Sequence, residues 1–173
     1  GGRAFFPSLQ ANTARGPYRD GLTLTSETTS RAILRQVALD AGSGFGIEGR
    51  RKLFDNRDRA SAVAFAPQGQ LLYAATNGAG TVEQLDPFTL ETLASAVGVG
   101  QGLTDVWVSP EDHSVWALSS LTRELVVLDT SDPSQPLAER ARLDLRPEGG
   151  EVLSDTMLLG QQVFHAAFDP RMS

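Results

Sequence analysis

Two short stretches decide the fold of this chain: residues 62–67 read AVAFAP and residues 105–110 read DVWVSP. The prolines that close them, at positions 67 and 110, stand 43 residues apart. The same offset recurs at three later landmarks, which are the pairs Tyr73 and Trp116, Leu85 and Leu128, and Asp86 and Asp129. Repeats of about 40–45 residues are typical of β-propeller blades, each of which is a four-stranded antiparallel sheet.

Each repeat contains four short apolar runs separated by turn residues. The first full repeat predicts strands at about residues 62–66, 71–75, 81–85 and 91–97. The second predicts strands at about residues 105–109, 114–118, 124–128 and 137–143. Turns such as residues 77–80 supply the glycine and asparagine that left-handed backbone conformations favour. We therefore expect an all-β fold.

A less regular third copy precedes these two. Residues 21–24 align with residues 69–72, and residues 32–40 align with the strand that ends at Asp86. The latter offset is 46, which places about three extra residues in the glycine-rich stretch 41–49 and an outer strand at 50–54.

The repeats together predict a partial β-propeller of about three four-stranded blades over residues 1–147. We place the blades at about residues 1–60, 61–103 and 104–147, the first of them imperfect at its inner strand. Because known propellers close with roughly 4–8 blades, we expect the chain to be a fragment or to be completed by another polypeptide.

The pattern changes in the last segment, residues 148–173, which we interpret as a linker and a short helix. Asp155 is the predicted N-cap, and residues 169–170 (Asp-Pro) are the predicted end. The apolar stripe of this helix consists of Leu158, Leu159, Val163, Ala166 and Ala167.

Composition excludes several classes of function. Fifteen Lys and Arg against 21 Asp and Glu give a formal charge of −6, which disfavours nucleic acid and anionic membrane surfaces as partners. The chain has no cysteine, so disulfides, thiolate metal sites and thioether-attached haem cannot form on it. No apolar run approaches the ~20 residues of a membrane helix, and residues 1–6 resemble a trimmed or engineered start rather than a signal peptide.

Two stretches resemble known bacterial families. Residues 125–136, LVVLDTSDPSQP, resemble the repeat of the LVIVD and YVTN class of propellers, in which a strand runs into a Ser-Asp-Pro turn. Residues 159–173, LGQQVFHAAFDPRMS, resemble the first helix of dihaem cytochrome c peroxidase (MauG-like) domains. The resemblance implies an exported or periplasmic parent with covalently bound haem c that handles peroxide by electron transfer. With no cysteine here, we expect this chain to carry no cofactor itself.

The resemblance implies that this chain is the non-catalytic scaffold and protein-interaction portion of an exported, dihaem-peroxidase-like electron-transfer protein. Its expected partners are the remaining blades or a redox domain of the same polypeptide, or another subunit. The candidate interface residues are Leu159, Val163, Phe164 and Phe168 in the tail and Arg50 and Arg51 in the first blade. The alternative is a cofactor-free accessory subunit that another chain completes. A propeller enzyme has little support, because the predicted inner strands offer only Asp105 as a polar group.

Other motifs favour structural interpretations. Residues 44–49 match G-x-G-x-x-G, but no long helix follows, so we predict an inter-strand loop rather than a dinucleotide site. His113 is predicted to lie in a solvated turn, and His165 on a helix surface that could face a haem in the parent.

The remaining candidates are carboxylates, a basic run and two tryptophans. Asp86 and Asp129 are predicted to accept hydrogen bonds within their own turns rather than to bind calcium. The basic run 50–52 is predicted to be a solvated blade edge, with docking of an acidic partner as the alternative. Trp107 and Trp116 are predicted to pack in the core or between blades.

Overall fold

The computed structural model describes residues 2–10, 31–39, 46–54, 57–132, 134–150 and 153–166. They form three antiparallel sheets and one helix, which confirms the predicted partial propeller. The strands are β1 (Gly2–Gln10), β2 (Arg31–Leu39), β3 (Gly46–Phe54), β4 (Ala60–Phe65), β5 (Leu72–Thr76), β6 (Thr81–Leu85), β7 (Thr92–Ala96), β8 (Leu103–Val108), β9 (Ser114–Ser119), β10 (Glu124–Asp129) and β11 (Ala138–Asp144). Helix α1 spans Asp155–His165.

Two sheets are complete four-stranded blades. Strands β4 to β7 pair in chain order to form the second blade, and β8 to β11 do the same in the third. The innermost strands β4 and β8 run in the same direction. β4 begins at Ala60, which pairs with Thr76. The next residue, Asn77, donates a hydrogen bond to the carbonyl of Leu103, where β8 begins, so both strands begin at the same end of the blades. Repeated hairpins of this kind build the blades from local contacts alone.

The first sheet contains three described strands in the order β1-β2-β3. The ring of Phe5, in the first half of β1, lies 5.2 Å from that of Phe65 at the end of β4. Gln10, the last residue of β1, accepts a hydrogen bond from Arg51 near the end of β3, and β3 is followed in the chain by the start of β4. β1 therefore runs antiparallel to β4, which is the direction of the second strand of a blade. Among the described residues, the first blade has no inner strand. Our prediction for this second strand, residues 21–24, lies outside the described residues, and β1 is the observed neighbour of β2.

Apolar cores fill the spaces between blades. The side chains of Leu34, Leu72 and Leu85 are fully buried where the first blade meets the second. A second core between the next two blades includes Tyr73 and Val126. The inter-blade contacts thus bury the apolar residues that the alternating pattern places on the blade faces.

Three local predictions are wrong. The strand β3 begins at Gly46, so the second half of the G-x-G-x-x-G motif is extended strand and not loop; Gly44 lies outside the described residues. The N-cap of α1 is Ser154, not Asp155, because the extended backbone of Ser154 lets its Oγ accept the N–H of Met157. The helix ends at His165 with Ala166 as C-cap, before the predicted end, which lies outside the described residues. Within the described ranges, no helix has the length and apolar character to cross a membrane.

Candidate functional site

Three loops meet at the end of the second and third blades where β4 and β8 begin. They are the β5–β6 turn at residues 77–80, the β7–β8 link at 97–102 and the β9–β10 turn at 120–123. Gly102 N–H donates to the Asn77 carbonyl at 3.1 Å, and Ser120 N–H donates to the Gly102 carbonyl at 2.9 Å. Asn77 Nδ2 also donates to the Leu103 carbonyl at 2.8 Å. The loops therefore form one hydrogen-bonded platform across the blade junction.

The close approach of these loops requires glycine. Gly80 has φ +58°, and a Cβ built there would lie 2.2 Å from the carbonyl oxygen of Gly100. Gly100 has φ +139°, and its Cβ would lie 2.1 Å from Ser119 Oγ. Both positions combine a left-handed backbone with a contact that no side chain can share.

A charged network borders the platform. Arg142 on β11 donates to Glu124 Oε2 at 2.9 Å and to Glu139 Oε2 at 2.7 Å. The same guanidinium donates to the Gly98 carbonyl at 3.2 Å. The hydrogen bond from Arg142 holds the pKa of Glu139 below its ordinary value, and the same bond raises the pKa of Arg142. Arg142 thus ties the outer strand of the third blade to the β7–β8 link.

Helix α1 lies over this platform without burying any of its residues. Gln162 and Ala166 face a cleft of about 620 Å³ that the glycine loops, Glu124 and Arg142 also line. On the outer side, Met157, Leu159 and Phe164 are exposed, Phe164 to 76%. The helix therefore presents an exposed apolar surface beside a cleft whose polar side chains include Glu124, Arg142 and Gln162.

The predicted interface residues fall at two separate places. Leu159 and Phe164 are exposed on α1, whereas Val163 is half-buried on it; Phe168 lies outside the described residues. Arg50 and Arg51 are exposed on β3 at the outer edge of the first blade. The structure therefore brings together the described tail residues but places the two arginines on another sheet.

The basic run serves in part as an inter-blade connection. Lys52 Nζ lies 3.2 Å from Glu83 Oε2, and Arg57 Nη1 lies 2.6 Å from Glu83 Oε1. Thr92 Oγ1 donates to the same carboxylate at 2.8 Å. Only Arg50 and Arg51 of residues 50–52 remain exposed as a surface for an acidic partner.

The carboxylates of Asp86 and Asp129 accept hydrogen bonds within their own turns. Asp86 Oδ1 accepts the N–H groups of Phe88 at 2.7 Å and Thr89 at 2.9 Å, and these bonds lower the pKa of Asp86. Asp129 Oδ1 accepts the N–H of Ser131 at 2.7 Å. Among the described residues, no three His, Asp or Glu side chains converge as a metal site.

Neither described histidine belongs to a cluster of three such side chains. His113 is in the turn before β9 with φ +51°, at the opposite end of the blades from the cleft. His165 ends α1, with its ring 5.1 Å from that of Phe164. The described side chains around the cleft therefore support recognition by hydrogen bonds and apolar contact.

Sequence reasoning missed the glycine platform and Arg142. The signal for the platform was the run GVGQG at residues 98–102, in which glycine occupies every second position of the link between two blades. Arg142 joins β11 to the β7–β8 link by a hydrogen bond to Gly98, which lies 44 residues earlier in the chain. No local sequence pattern predicts a contact over that separation.

Comparison with solved structures places the fold among β-propellers. The Swd1 (Cps50) β-propeller domain of Myceliophteria thermophila matches with TM-score 0.50 and 15% identity, over 66% of this chain and 40% of that chain. A putative 6-phosphogluconolactonase from Bacteroides uniformis matches with TM-score 0.59 and 15% identity, over 68% of this chain and 38% of that chain. A chain of a mitotic checkpoint complex matches with TM-score 0.53 and 16% identity, over 66% and 35%.

At these identities the likeness concerns the fold alone. The matched region amounts to 35–40% of the length of these three chains. No family model and no curated protein matches the sequence.

Proposed function

We propose that this chain is a non-catalytic propeller scaffold that docks a redox domain of the same, exported polypeptide on the surface formed by α1 and its cleft. The observation that carries the proposal is that α1 lies against the blade junction without burying a residue. Met157, Leu159 and Phe164 are consequently free to contact a domain that continues from the helix. Exposed clusters of large apolar side chains are typical of interaction sites.

The finer part of the proposal is a parent resembling a dihaem cytochrome c peroxidase, located in the periplasm. It is supported by the likeness of residues 159–173 to the first helix of such domains. The residues present do not fit haem c itself, because the chain has no cysteine for a thioether bond and the described residues include no converging metal ligands. Any haem of the parent would be attached outside this sequence.

The decisive measurement is the intact mass of the native polypeptide, isolated from its source under denaturing conditions. A mass well above 18.5 kDa with increments for covalent haem would support the peroxidase-like parent. A mass equal to that of the present sequence would overturn it and favour a cofactor-free subunit completed by another chain.

Docking on α1 is tested separately by hydroxyl-radical footprinting of the native polypeptide. We expect oxidation of Met157 and Phe164 to be strongly reduced relative to the 173-residue chain. Phe88, which is 62% exposed at the opposite end of the second blade, is the matched control and should not change. Equal oxidation of Phe164 in both forms would contradict docking at this surface.

A further inference from the structure

The outer edge of the second blade differs from the outer edges of the other two. Strand order places β3, β7 and β11 at the edges of the three sheets. β3 and β11 each carry four charged residues, which are Glu48, Arg50, Arg51 and Lys52 on β3, and Glu139, Arg140, Arg142 and Asp144 on β11. β7, which spans Thr92–Ala96, carries none. Charged side chains commonly keep an edge strand from pairing with another chain, and of the described outer edges β7 alone lacks them.

The edge formed by β7 is also exposed. Leu93 is 55% exposed, and Val97, directly after the strand, is 76% exposed. The pairing of β7 with β6 leaves Leu93 as an extra residue, so the regular part of the edge begins at Ala94. Among the described strands, β7 pairs with β6 alone. The backbone groups on its other side can therefore pair with a further strand.

Trp107 exposes apolar surface of another kind, on a sheet face. It is 53% exposed, and its ring meets that of Trp116 edge-on at 6.0 Å. Contrary to the sequence prediction, Trp107 does not lie in a core among the described residues. Covering a sheet face takes a packed layer, whereas the edge of β7 can recruit a single extended segment through its backbone.

Basic side chains of the first blade and of its link to the second lie beside β7. Lys52 Nζ donates to Thr92 Oγ1 at 2.6 Å, and Arg57 Nη1 lies 3.4 Å from Ser95 Oγ. Glu83, which pairs with Ser95 across the sheet, supplies one negative charge against these two positive ones. The surface on this side of β7 therefore has an excess of positive charge.

Arg50 extends this positive surface toward the start of β7. Backbone hydrogen bonds within its own turn lower the pKa of Asp86, which lies just before β7, and the charge of Arg50 lowers it further. The side chain of the next residue, Arg51, instead donates to Gln10 Oε1 at 3.3 Å. We call Arg50, Lys52 and Arg57 the basic row; Arg50 is its most exposed member.

The edge and the basic row define the chemistry of a segment that pairs with β7. The side chains of an added strand alternate between the two faces of the sheet. On the face that Ser95 shares with Glu83 they meet the basic row, which favours acidic side chains there. On the other face they lie beside Ala94 and Ala96, which pack on the apolar core between the second and third blades. Apolar side chains are favoured at those positions.

We propose that the edge of β7 binds an extended acidic segment of a partner protein as a fifth strand of the second blade. Acidic side chains of this segment face the basic row, and its apolar side chains lie beside Ala94 and Ala96. The described lining of the cleft at α1 includes no residue of β7, so the inference goes beyond the proposed docking of a redox domain.

A synthetic peptide tests the proposal on the 173-residue chain. The probe is a short, end-capped peptide in which glutamate and valine alternate. Fluorescence anisotropy should show saturable binding, and amide hydrogen exchange should slow at Ala94–Ala96 but not on β3 or β11. A peptide with lysine in place of glutamate should bind about tenfold more weakly, because like charges then meet at the basic row. Absence of binding, or slowed exchange at β3 or β11 instead of β7, would overturn the proposal.

Backbone pairing is distinguished from charge attraction by N-methylation of the probe. A glutamate–valine peptide that is N-methylated at every residue retains its charges but has no N–H donors for the ladder. It should bind at least about tenfold more weakly than the unmethylated peptide. Equal binding of the two would show that charge alone attracts the peptide, which contradicts an added strand.

Two variants on adjacent residues test the basic row. Arg50→Gln should weaken binding of the glutamate–valine peptide by about threefold, as expected for loss of one exposed ion pair. Arg51→Gln is the matched control and should leave binding unchanged, because Arg51 donates to Gln10. Equal effects of the two variants would reject the basic row as the contact.

The outcomes also separate this inference from the proposed function. Protection of Phe164 in the native polypeptide reports docking on α1, whatever the peptide does at β7. If the chain alone sedimented as a dimer with slowly exchanging amides at Ala94–Ala96, the occupant of the edge would be a second copy, and the proposed acidic partner would be rejected.

Discussion

The guanidinium of Arg57, in the link between the first two blades, lies 2.6 Å from the buried carboxylate of Glu83 on β6. Lys52 of β3 reaches the same carboxylate from the first blade at 3.2 Å. Both cations remain partly exposed, whereas the Glu83 side chain is only 4% exposed. These three side chains form an ion cluster that joins the first blade to the second beside their shared apolar core.

Replacing Glu83 should weaken that junction. Glu83→Gln removes the negative charge but retains a side chain of similar size, leaving Lys52 and Arg57 near each other without compensation. We expect the free energy of unfolding to fall by about 2 kcal/mol, less than for a fully buried pair because both cations are partly solvated. Urea denaturation measures the change. Glu91→Gln, on an exposed neighbouring turn, should change it by less than about 0.5 kcal/mol, and equal effects would contradict the structural role.

The glycine platform predicts a contrast between two positions with similar backbone angles. Gly80 and Gly69 have φ of +58° and +71°, but only Gly80 has a neighbour, the Gly100 carbonyl, where a Cβ would be. Gly69→Ala should cost about 1 kcal/mol from backbone strain alone. Gly80→Ala should cost at least about 2 kcal/mol more, because the platform must separate. Thermal and urea denaturation provide the comparison, and equal costs would show that the loops move apart easily.

The blades could be predicted because their signals are local. Pro67 and Pro110 mark equivalent turns, and the runs between them alternate with the period of a strand. The pairing of β1 with β2 joins strands that residues 11–30 separate in the chain, so no hairpin signal indicated it. The exposure of Trp107 depends on what covers the blade, which its own sequence does not encode. At α1, Ser154 and Asp155 are both good cap residues, and the backbone angles of Ser154 decide between them.

Acid should destabilise the fold in a defined pH range. The hydrogen bond from Arg146 lowers the pKa of Asp144 from 3.8 to about 2. Because the folded-state pKa lies below the unfolded value, this stabilisation is complete above pH 3.8 and is lost as the pH falls through about 2. Hydrogen bonds within turns lower the pKa of Asp86, Asp129 and Asp132 in the same direction.

Carbon NMR titration of the carboxyl groups tests this prediction directly. The Asp144 resonance should titrate near pH 2 in the folded chain. In Arg146→Gln, which removes the charged hydrogen-bond donor, its pKa should return toward 3.8 while that of Asp86 stays low. An unchanged pKa of Asp144 in the variant would show that the Arg146 side chain is not the cause, since the backbone N–H of residue 146 still donates to Asp144.

Helix α1 should respond to loss of its cap independently of the blades. Ser154→Ala removes the acceptor for the Met157 N–H and should destabilise the helix by about 1 kcal/mol. Because α1 buries none of its residues, we expect faster amide exchange within Asp155–His165 and little change in exchange at Leu72–Thr76. Asp155→Ala should have a smaller effect of about 0.5 kcal/mol, since it removes only a favourable charge at the helix N-terminus. If Asp155→Ala accelerated amide exchange more than Ser154→Ala, Asp155 would be the N-cap. If both variants also accelerated amide exchange in Leu72–Thr76, α1 would unfold together with the second blade rather than separately from it.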